Sequence, residues 1–284
     1  MPLVGSREML YKAMEEGYAV GAFNVSNLDM VRAIVDGAEA ERAPIILAAA
    51  ALQIKYCRLD LLAATCKAAA DAAKVPIALH LDHGPSYAEN AACLQAGFTS
   101  LMFDGSSLPY DENVRLTREV VQLGHSVGLG VEAELGRVLR AANEPTPEDV
   151  RACYTNPDEA REFVKATDAD YLAISVGSVH NMVKRSAEID LERIAAIRER
   201  TRRPLVMHGG SGVPHEVVRQ AVANGICKFN VSTELLKQLR AGMEKAFADL
   251  PGELNSRTLM PGPMAMVRET VQEKISLFGS SGKA

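Results

Sequence analysis

The chain has 284 residues, of which 48% are hydrophobic, and a formal net charge of −5. This composition fits one large domain over 1–284, and the scattered basic residues argue against a nucleic-acid-binding surface. No apolar run approaches the roughly 20 residues of a membrane helix, and the N-terminus lacks a signal-peptide core. The five cysteines are widely spaced, without a CxxC pair, which favours a reducing compartment. We therefore expect a cytoplasmic protein that binds neither nucleic acid nor membrane.

Short segments rich in β-branched residues alternate with longer amphipathic segments along the chain. Eight of the short segments are predicted strands: 20–23, 45–48, 77–81, 100–103, 128–132, 171–174, 205–207 and 228–231. Strand–helix alternation is typical of a parallel sheet, because each return to a parallel neighbour needs a crossover helix. Eight such units predict an α/β fold closed into a (β/α)8 TIM barrel, with a doubly wound open sheet as the alternative.

Four amphipathic segments between the strands are expected to be helices: 27–41, 111–123, 191–199 and 233–248. Asn27, Asp111 and Thr233 are the predicted N-caps of three of them. An extra N-terminal helix is expected at 6–16, where it would plug the bottom of the barrel, and an extra C-terminal helix at 264–277. The segment 136–156 is longer than an ordinary βα loop, which favours a functional role.

Polar and glycine-rich segments follow six consecutive strands, from the third to the eighth. Active sites of barrel enzymes form at the C-terminal ends of the strands. His83, His180 and His208 fall at the ends of strands 3, 6 and 7. Imidazole suits zinc, and three protein ligands with an open position make a catalytic arrangement. The sequence therefore predicts one zinc ion on these histidines, with hydrogen-bonded structural histidines as the alternative. His80 is expected to face the barrel interior or to support a ligand.

The turn Gly209-Gly210-Ser211-Gly212 precedes a helix expected to begin near Pro214. Glycine amides approach anions closely, and a helix N-terminus attracts negative charge. Asn230, Ser232 and Thr233 come from the next βα turn, and phosphate sites after strands 7 and 8 recur in this architecture. The two turns together predict a phosphate site, whereas the glycine turn alone is equally compatible with an ordinary tight turn.

Seven segments together resemble the class II ketose-bisphosphate aldolases, nearest to the tagatose-bisphosphate and fructose-bisphosphate branches. They are GAFNVSN (21–27), LHLDHG (79–84), MFDGS (102–106), VEAELG (131–136), VGSVH (176–180), HGGSGVP (208–214) and NVSTEL (230–235). The resemblance covers nearly the whole chain. It implies a lyase of carbohydrate metabolism, such as glycolysis, that reversibly cleaves a tagatose- or fructose-1,6-bisphosphate type of ketose. The products would be dihydroxyacetone phosphate and an aldehyde, and the protein would be a homodimer or homotetramer.

The resemblance also implies roles for individual residues. His83, His180 and His208 would bind the catalytic Zn2+, and Asp82 would take and return the hydroxyl proton. Asp104 and Glu134 correspond to positions of a second or displaced divalent metal, and a monovalent Na+ or K+ is also implied nearby. The positions implied for substrate binding are Asn181, Lys184, Gly209, Gly210, Ser211, Asn230, Val231, Ser232 and Thr233.

Two departures from the family pattern leave the substrate open. The loop 137–145 lacks the usual glycine pair that precedes a proton-shuttling glutamate, and Glu144 is the nearest candidate, with Glu148 or a solvated loop charge as alternatives. Asn181 replaces a glycine, although asparagine tolerates positive φ well. The alternatives are an aldolase for another ketose or sugar-acid phosphate, of the 5-dehydro-2-deoxygluconate phosphate type, or a non-catalytic sugar-phosphate-binding subunit. Lys228 lies near the start of strand 8, away from the rim, which disfavours a Schiff-base mechanism.

Overall fold

The computed structural model describes residues 3–181 and 187–284. Eight parallel strands close into a barrel in chain order, with β1 paired to β8. The strands are β1 (Val20–Asn24), β2 (Ile45–Ala50), β3 (Ile77–Asp82), β4 (Ser100–Phe103), β5 (Gly130–Leu135), β6 (Tyr171–Ile174), β7 (Leu205–Met207) and β8 (Ile226–Val231). The predicted (β/α)8 TIM barrel is confirmed, and the open-sheet alternative is excluded.

Helices surround the barrel. They are α1 (Ser6–Glu16), α2 (Leu28–Glu41), α3 (Ala51–Cys57), α4 (Leu59–Ala72), α5 (Tyr87–Gln95), α6 (Tyr110–His125), α7 (Pro147–Ala152), α8 (Pro157–Thr167), α9 (Leu191–Thr201), α10 (His215–Asn224), α11 (Thr233–Asp249), α12 (Ser256–Leu259) and α13 (Pro261–Phe278). Among the described residues, none of these helices is both long and apolar enough to span a membrane. The two extra terminal helices are confirmed as α1 and α13, and α13 begins three residues earlier than predicted.

Of the three predicted N-caps, one is confirmed and two are wrong. Asn27 caps α2 and accepts a hydrogen bond from the Met30 amide. Asp111 and Thr233 do not act as caps, because α6 begins after Pro109 and Thr233 is already the first helical residue of α11. Strand β5 begins two residues later than predicted, since Gly128 has a φ of +77° that a strand cannot accommodate.

Two apolar layers position the functional end of the barrel. Outward-facing strand residues pack against the helices in the main core, whereas inward-facing residues such as Val20, Ala22 and Ala78 form a second cluster with α1. Met9 and Leu10 of α1 belong to this inner cluster, so the helix does plug the N-terminal end of the barrel, as predicted. The opposite, C-terminal end of the interior is filled by polar side chains.

Candidate active site

Asp82 and His83 lie at a sharp turn of the backbone at the end of β3. Asp82 is the last residue of β3, and His83 follows with a φ of +49°, which is uncommon for any residue but glycine. A side chain at Gly84 would collide with the carbonyl oxygen of Met102. The strand therefore turns sharply beside β4, and this turn brings the His83 ring over the barrel rim.

The three predicted histidines come together at this rim. Nε2 of His83 lies 2.9 Å from Nδ1 of His208, and the rings of His83 and His180 are 5.1 Å apart, centre to centre. One ring nitrogen from each residue falls within 4.8 Å of the other two. Three imidazole nitrogens this close together form a ligand set that suits zinc.

Carboxylates fix two of the rings by accepting the proton of the other nitrogen. Glu132 lies 2.9 Å from Nε2 of His208 through Oε1, and Asp104 lies 2.7 Å from Nδ1 of His83 through Oδ2. A carboxylate can only accept, so each of these nitrogens carries a hydrogen. The nitrogens that face each other, Nδ1 of His208 and Nε2 of His83, are left for a cation. Such carboxylate–histidine pairs are the usual support of metal-binding imidazoles.

The protonation of the cluster also fits a cation between the rings. Burial lowers the pKa of His83, but the charge of Asp82 and the hydrogen bond to Asp104 outweigh it and raise this pKa to about 10. Burial and the charge of His83 lower the pKa of His180 to about 4 and that of His208 well below its usual range. The raised pKa of His83 and the lowered pKa of His208 favour a hydrogen bond from Nε2–H of His83 to Nδ1 of His208 across their 2.9 Å separation. A divalent cation between the rings would replace that proton, so the residues fit a metal.

Asp104 and Glu134 form a second possible metal group with His83. Oε2 of Glu134 lies 3.6 Å from Nδ1 of His83. Burial, followed by the charge of Asp104, raises the pKa of Glu134 to about 8. The two carboxylates thus lie behind the three-histidine cluster, where the second or displaced metal was predicted, and that role stays a prediction.

Two carboxamides hold Asp82 beside the histidines. Asn24 donates to Oδ2 over 2.8 Å, and Asn230 donates to Oδ1 over 2.7 Å. Burial alone would raise the pKa of Asp82, but the charge of His83, supported by the charge of Lys228 and the hydrogen bond from Asn24, outweighs it and holds the pKa at about 2. The carboxylate is therefore ionised near neutral pH and fixed in orientation, which suits a general base.

The sequence reasoning missed three buried residues of this site, namely Asn24, Glu132 and Lys228. Glu132 and Lys228 lie two positions before the predicted site residues Glu134 and Asn230, on the same faces of β5 and β8. Asn24 ends β1 and reaches Asp82 through its side chain. Side chains alternate faces along a strand with a period of two. A charged or amide residue at such a spacing was the available signal, and the strand ends alone did not reveal it.

A cavity of about 160 Å³ connects the histidines with the predicted phosphate turns. Of the predicted residues, it is lined by Asp82, His83, His180, Asn181, His208, Gly209, Ser211, Asn230, Ser232 and Thr233. Gly209 has a φ of +69°, and a side chain there would press on the backbone of Val179. Gly210 lies outside this lining, and Val231 packs in the apolar layer against the helices. The roles of these residues in phosphate binding stay predictions.

The backbone at Asn181 has the expected left-handed conformation, with a φ of +62°. Its side-chain Oδ1 accepts a hydrogen bond of 3.2 Å from Oγ1 of Thr233. The glycine-like backbone shape is therefore preserved, while the carboxamide closes part of the gap between the loops that follow β6 and β8.

The loop after β5 brings Arg140, and not Glu144, into the cavity lining. The amide of His180 donates to the Leu139 carbonyl over 2.8 Å, and the amide of Ala141 donates to the His180 carbonyl over 2.9 Å. These bonds fasten the Arg140 backbone beside a predicted metal ligand. Glu144 is exposed in a short turn and outside the lining, so its predicted proton-shuttling role is unsupported by its position and stays a prediction. Lys184 lies outside the described residues.

Comparisons with known proteins agree with this geometry. The model of the class-II fructose-bisphosphate aldolase family matches residues 4–283. The YdjI aldolase from Escherichia coli K12 is 33% identical, with a TM-score of 0.87 over 99% of both chains. A Coccidioides immitis protein described as a fructose-1,6-biphosphate aldolase is 32% identical, with a TM-score of 0.84 over 97% of this chain and 96% of that chain. Fructose-bisphosphate aldolase from Campylobacter jejuni shares the fold at 18% identity, with a TM-score of 0.84 over 100% of this chain and 97% of that chain. The chain belongs to the class II fructose-bisphosphate aldolase family.

Proposed function

We propose that the protein is a metal-dependent aldolase that reversibly cleaves a phosphorylated ketose, of the tagatose- or fructose-1,6-bisphosphate type. The products are dihydroxyacetone phosphate and an aldehyde. One observation carries the proposal: the carboxylate of Asp82 accepts hydrogen bonds from Asn24 and Asn230 directly beside the three histidines. A base fixed next to a cation-binding cluster is what aldol cleavage requires.

The chain's own residues would divide the reaction as follows. In cleavage, Asp82 removes the proton of the hydroxyl next to the breaking carbon–carbon bond, and in synthesis it returns that proton. His83, His180 and His208 would hold the divalent metal, most simply zinc, which when bound polarises the ketose carbonyl as a Lewis acid. Asn24 and Asn230 keep the carboxylate from rotating away from the hydroxyl.

The donor phosphate is expected at the two turns after β7 and β8. Ser211, Ser232 and Thr233 supply hydroxyl groups there, and α11 begins at Thr233, which lines the cavity. A helix N-terminus stabilises a negative charge by its unpaired amides and its dipole. We propose that the far end of the substrate meets Arg140, which lines the same cavity.

A second candidate substrate class is favoured by Arg140. It is the only arginine or lysine among the described residues of the cavity lining, and no described carboxylate pairs with its side chain. A guanidinium recognises carboxylate and phosphate alike. A ketose phosphate whose far end is a carboxylate therefore fits the site as well as a bisphosphate does.

A substrate screen with zinc-loaded protein tests both candidates. The panel contains tagatose and fructose bisphosphates, 5-dehydro-2-deoxygluconate phosphate and ketose monophosphates with and without a terminal carboxylate. We expect cleavage of at least one phosphorylated ketose, detected by release of dihydroxyacetone phosphate. Exchange of the donor's carbon-bound proton in D2O is followed by NMR in parallel. Binding of zinc and of sugar phosphate without exchange would instead support a non-catalytic binding subunit.

The assembly expected from the resemblance is a homodimer or homotetramer. We propose it on that resemblance alone, and light scattering of the zinc-loaded protein tests it. A monomer at micromolar concentration would contradict it.

A further inference from the structure

Lys228 is a buried lysine that takes no part in the proposed chemistry, and it lies beneath both the predicted metal-binding histidines and Asp82. Lys228, on β8, has no exposed side-chain surface. Burying an ammonium group is costly unless anions or acceptors surround it. Its Nζ lies 2.9 Å from Oε2 of Glu132 and donates to Oδ1 of Asn230 over 2.7 Å. These two neighbours are the groups that orient His208 and Asp82.

The contact with Asn230 determines which way its carboxamide points. An ammonium group has three donors and no acceptor, so the atom of Asn230 that faces it must be the oxygen. The amide nitrogen is then directed at Asp82, where it donates to Oδ1 over 2.7 Å. The reversed carboxamide would place its oxygen against the carboxylate of Asp82 and its NH2 group against the ammonium group, so Lys228 and Asp82 together fix one orientation.

The contact between Lys228 and Glu132 supports the proposed metal ligand His208. Oε2 of Glu132 pairs with Lys228, while Oε1 accepts the proton on Nε2 of His208. The ammonium group balances the charge of a carboxylate that has no exposed surface. It thereby keeps Glu132 available as the acceptor that leaves Nδ1 of His208 free for a cation.

From this geometry we propose that Lys228 is a positioning residue that links the metal ligand His208, through Glu132, to the proton-transferring Asp82, through Asn230. One buried charge sets both the ring nitrogen offered to the metal and the direction of the carboxamide that holds the base. The inference rests on the proposed function, since it assigns Lys228 a task within that site.

Lys228→Met removes the charge and keeps a side chain of similar length. Support of a metal ligand by its neighbours commonly changes metal affinity or activity by about 10- to 100-fold. We expect losses of about this size in both zinc affinity, measured by competition with a chromophoric chelator, and kcat, with a smaller change in KM. Lys228→Arg, which keeps a cation, is expected to restore zinc affinity to within a few-fold of wild type.

Thr167→Val is the matched control. Thr167 is buried at the end of α8, where its hydroxyl donates to the carbonyl of Phe163 over 2.8 Å. Losing this buried hydrogen bond lowers stability without changing a contact of the histidines, Glu132 or Asp82. We expect wild-type zinc affinity and kcat at temperatures where the variant is folded. If both variants lose zinc affinity to the same extent, Lys228 acts through general stability and the proposal is wrong.

Double variants separate the two links. In a Glu132→Gln background, Lys228→Met should add little to the loss of zinc affinity, and in an Asn230→Ala background it should add little to the loss of kcat. Full additivity in both backgrounds overturns the proposal, because independent sites show additive effects. Should Lys228→Met not fold, Glu132→Gln alone is expected to weaken zinc binding about tenfold, and unchanged affinity overturns the link.

The zinc measurements do not depend on knowing the substrate. If the wild-type protein binds zinc but cleaves no ketose phosphate, the proposed function fails while the link from Lys228 to His208 is still tested by zinc affinity. If cleavage is found and Lys228→Met retains wild-type zinc affinity and kcat, only the inference about Lys228 fails.

Discussion

The floor and the mouth of the site are built by different means. The floor consists of inward-facing strand residues, such as Glu132, Lys228 and Asn230, all buried and joined by short polar contacts. The mouth consists of loops that follow the strands and carries Arg140 and Asn181, both exposed at the cavity. Rigid strands fix groups that must not move during catalysis, whereas loops can change without disturbing the fold.

This difference predicts which residues determine the reaction and which determine the choice of substrate. A change on the floor disturbs metal binding or proton transfer for every substrate. A change at the mouth alters which substrate is bound, because its residues meet only the far end of the ligand. The following experiments test that division.

Removal of the metal should have the largest effect. Exhaustive chelation is expected to reduce ketose phosphate cleavage to background, since the three histidines would hold the group that polarises the carbonyl. Re-addition of zinc should restore activity in proportion to bound metal, measured by elemental analysis. Full activity after chelation, or trapping of substrate on a lysine by borohydride, would contradict a metal mechanism.

Asp82→Asn should come next. Loss of a general acid–base group costs about 10²- to 10⁴-fold in rate, so we expect kcat to fall by that factor while zinc affinity stays within a few-fold. Asp104→Asn is the matched variant, since Asp104 accepts a hydrogen bond from the ring of His83. It should weaken zinc binding more than Asp82→Asn does. The reverse ranking of zinc affinities would show that Asp82 is mainly a metal-supporting residue.

The floor and the mouth also differ in how far the sequence revealed them. The barrel followed from eight strand–helix units, and the histidine cluster followed from polar residues at the strand ends. Lys228 was recognised only as lying away from the rim, because its partner Glu132 comes from β5, nearly 100 positions earlier in the chain. A pairing of side chains across the barrel interior depends on strand register, which the local pattern does not encode.

The pH dependence of zinc binding tests the electrostatics of the floor. Near-neutral metal-free protein carries a proton on His83, whose pKa is raised to about 10, while His180, at about 4, is neutral. Zinc must displace the His83 proton, so its apparent affinity should rise about tenfold per pH unit from about pH 7 to 9 and level off near pH 10. Chelator competition across this range measures the slope. A flat profile above pH 7 would mean that His83 has an ordinary pKa.

Arg140→Ala should affect binding more than chemistry. A hydrogen bond to a charged group contributes about 1.5–3 kcal/mol, so KM should rise about tenfold or more for substrates with a second anionic group. For ketose monophosphates without such a group, KM should barely change. Arg137→Ala is the control, because Arg137 is an exposed arginine of the same loop outside the cavity lining. Equal KM increases with both types of substrate would place Arg140 at the donor phosphate instead.

Asn181→Gly should have the smallest effect on activity and stability, as expected for a residue of the mouth. Glycine adopts a φ of +62° freely and relieves the strain of the left-handed backbone, but it loses the hydrogen bond from Thr233. These effects oppose each other, so the free energy of unfolding should change by less than about 1 kcal/mol. We expect unchanged kcat and a KM shift of a few-fold, measured on the substrate that the screen identifies.

Asn181→Val is its counterpart, because a β-branched residue is strongly disfavoured at positive φ. It should destabilise the loop and raise KM more than Asn181→Gly does, while zinc affinity stays near wild type. Both variants act on the backbone next to His180 without changing a floor residue. If either one weakens zinc binding as strongly as Asp104→Asn does, the loop after β6 supports the metal as well as the substrate. The mouth would then share the function of the floor, and the division between the two regions would fail at His180.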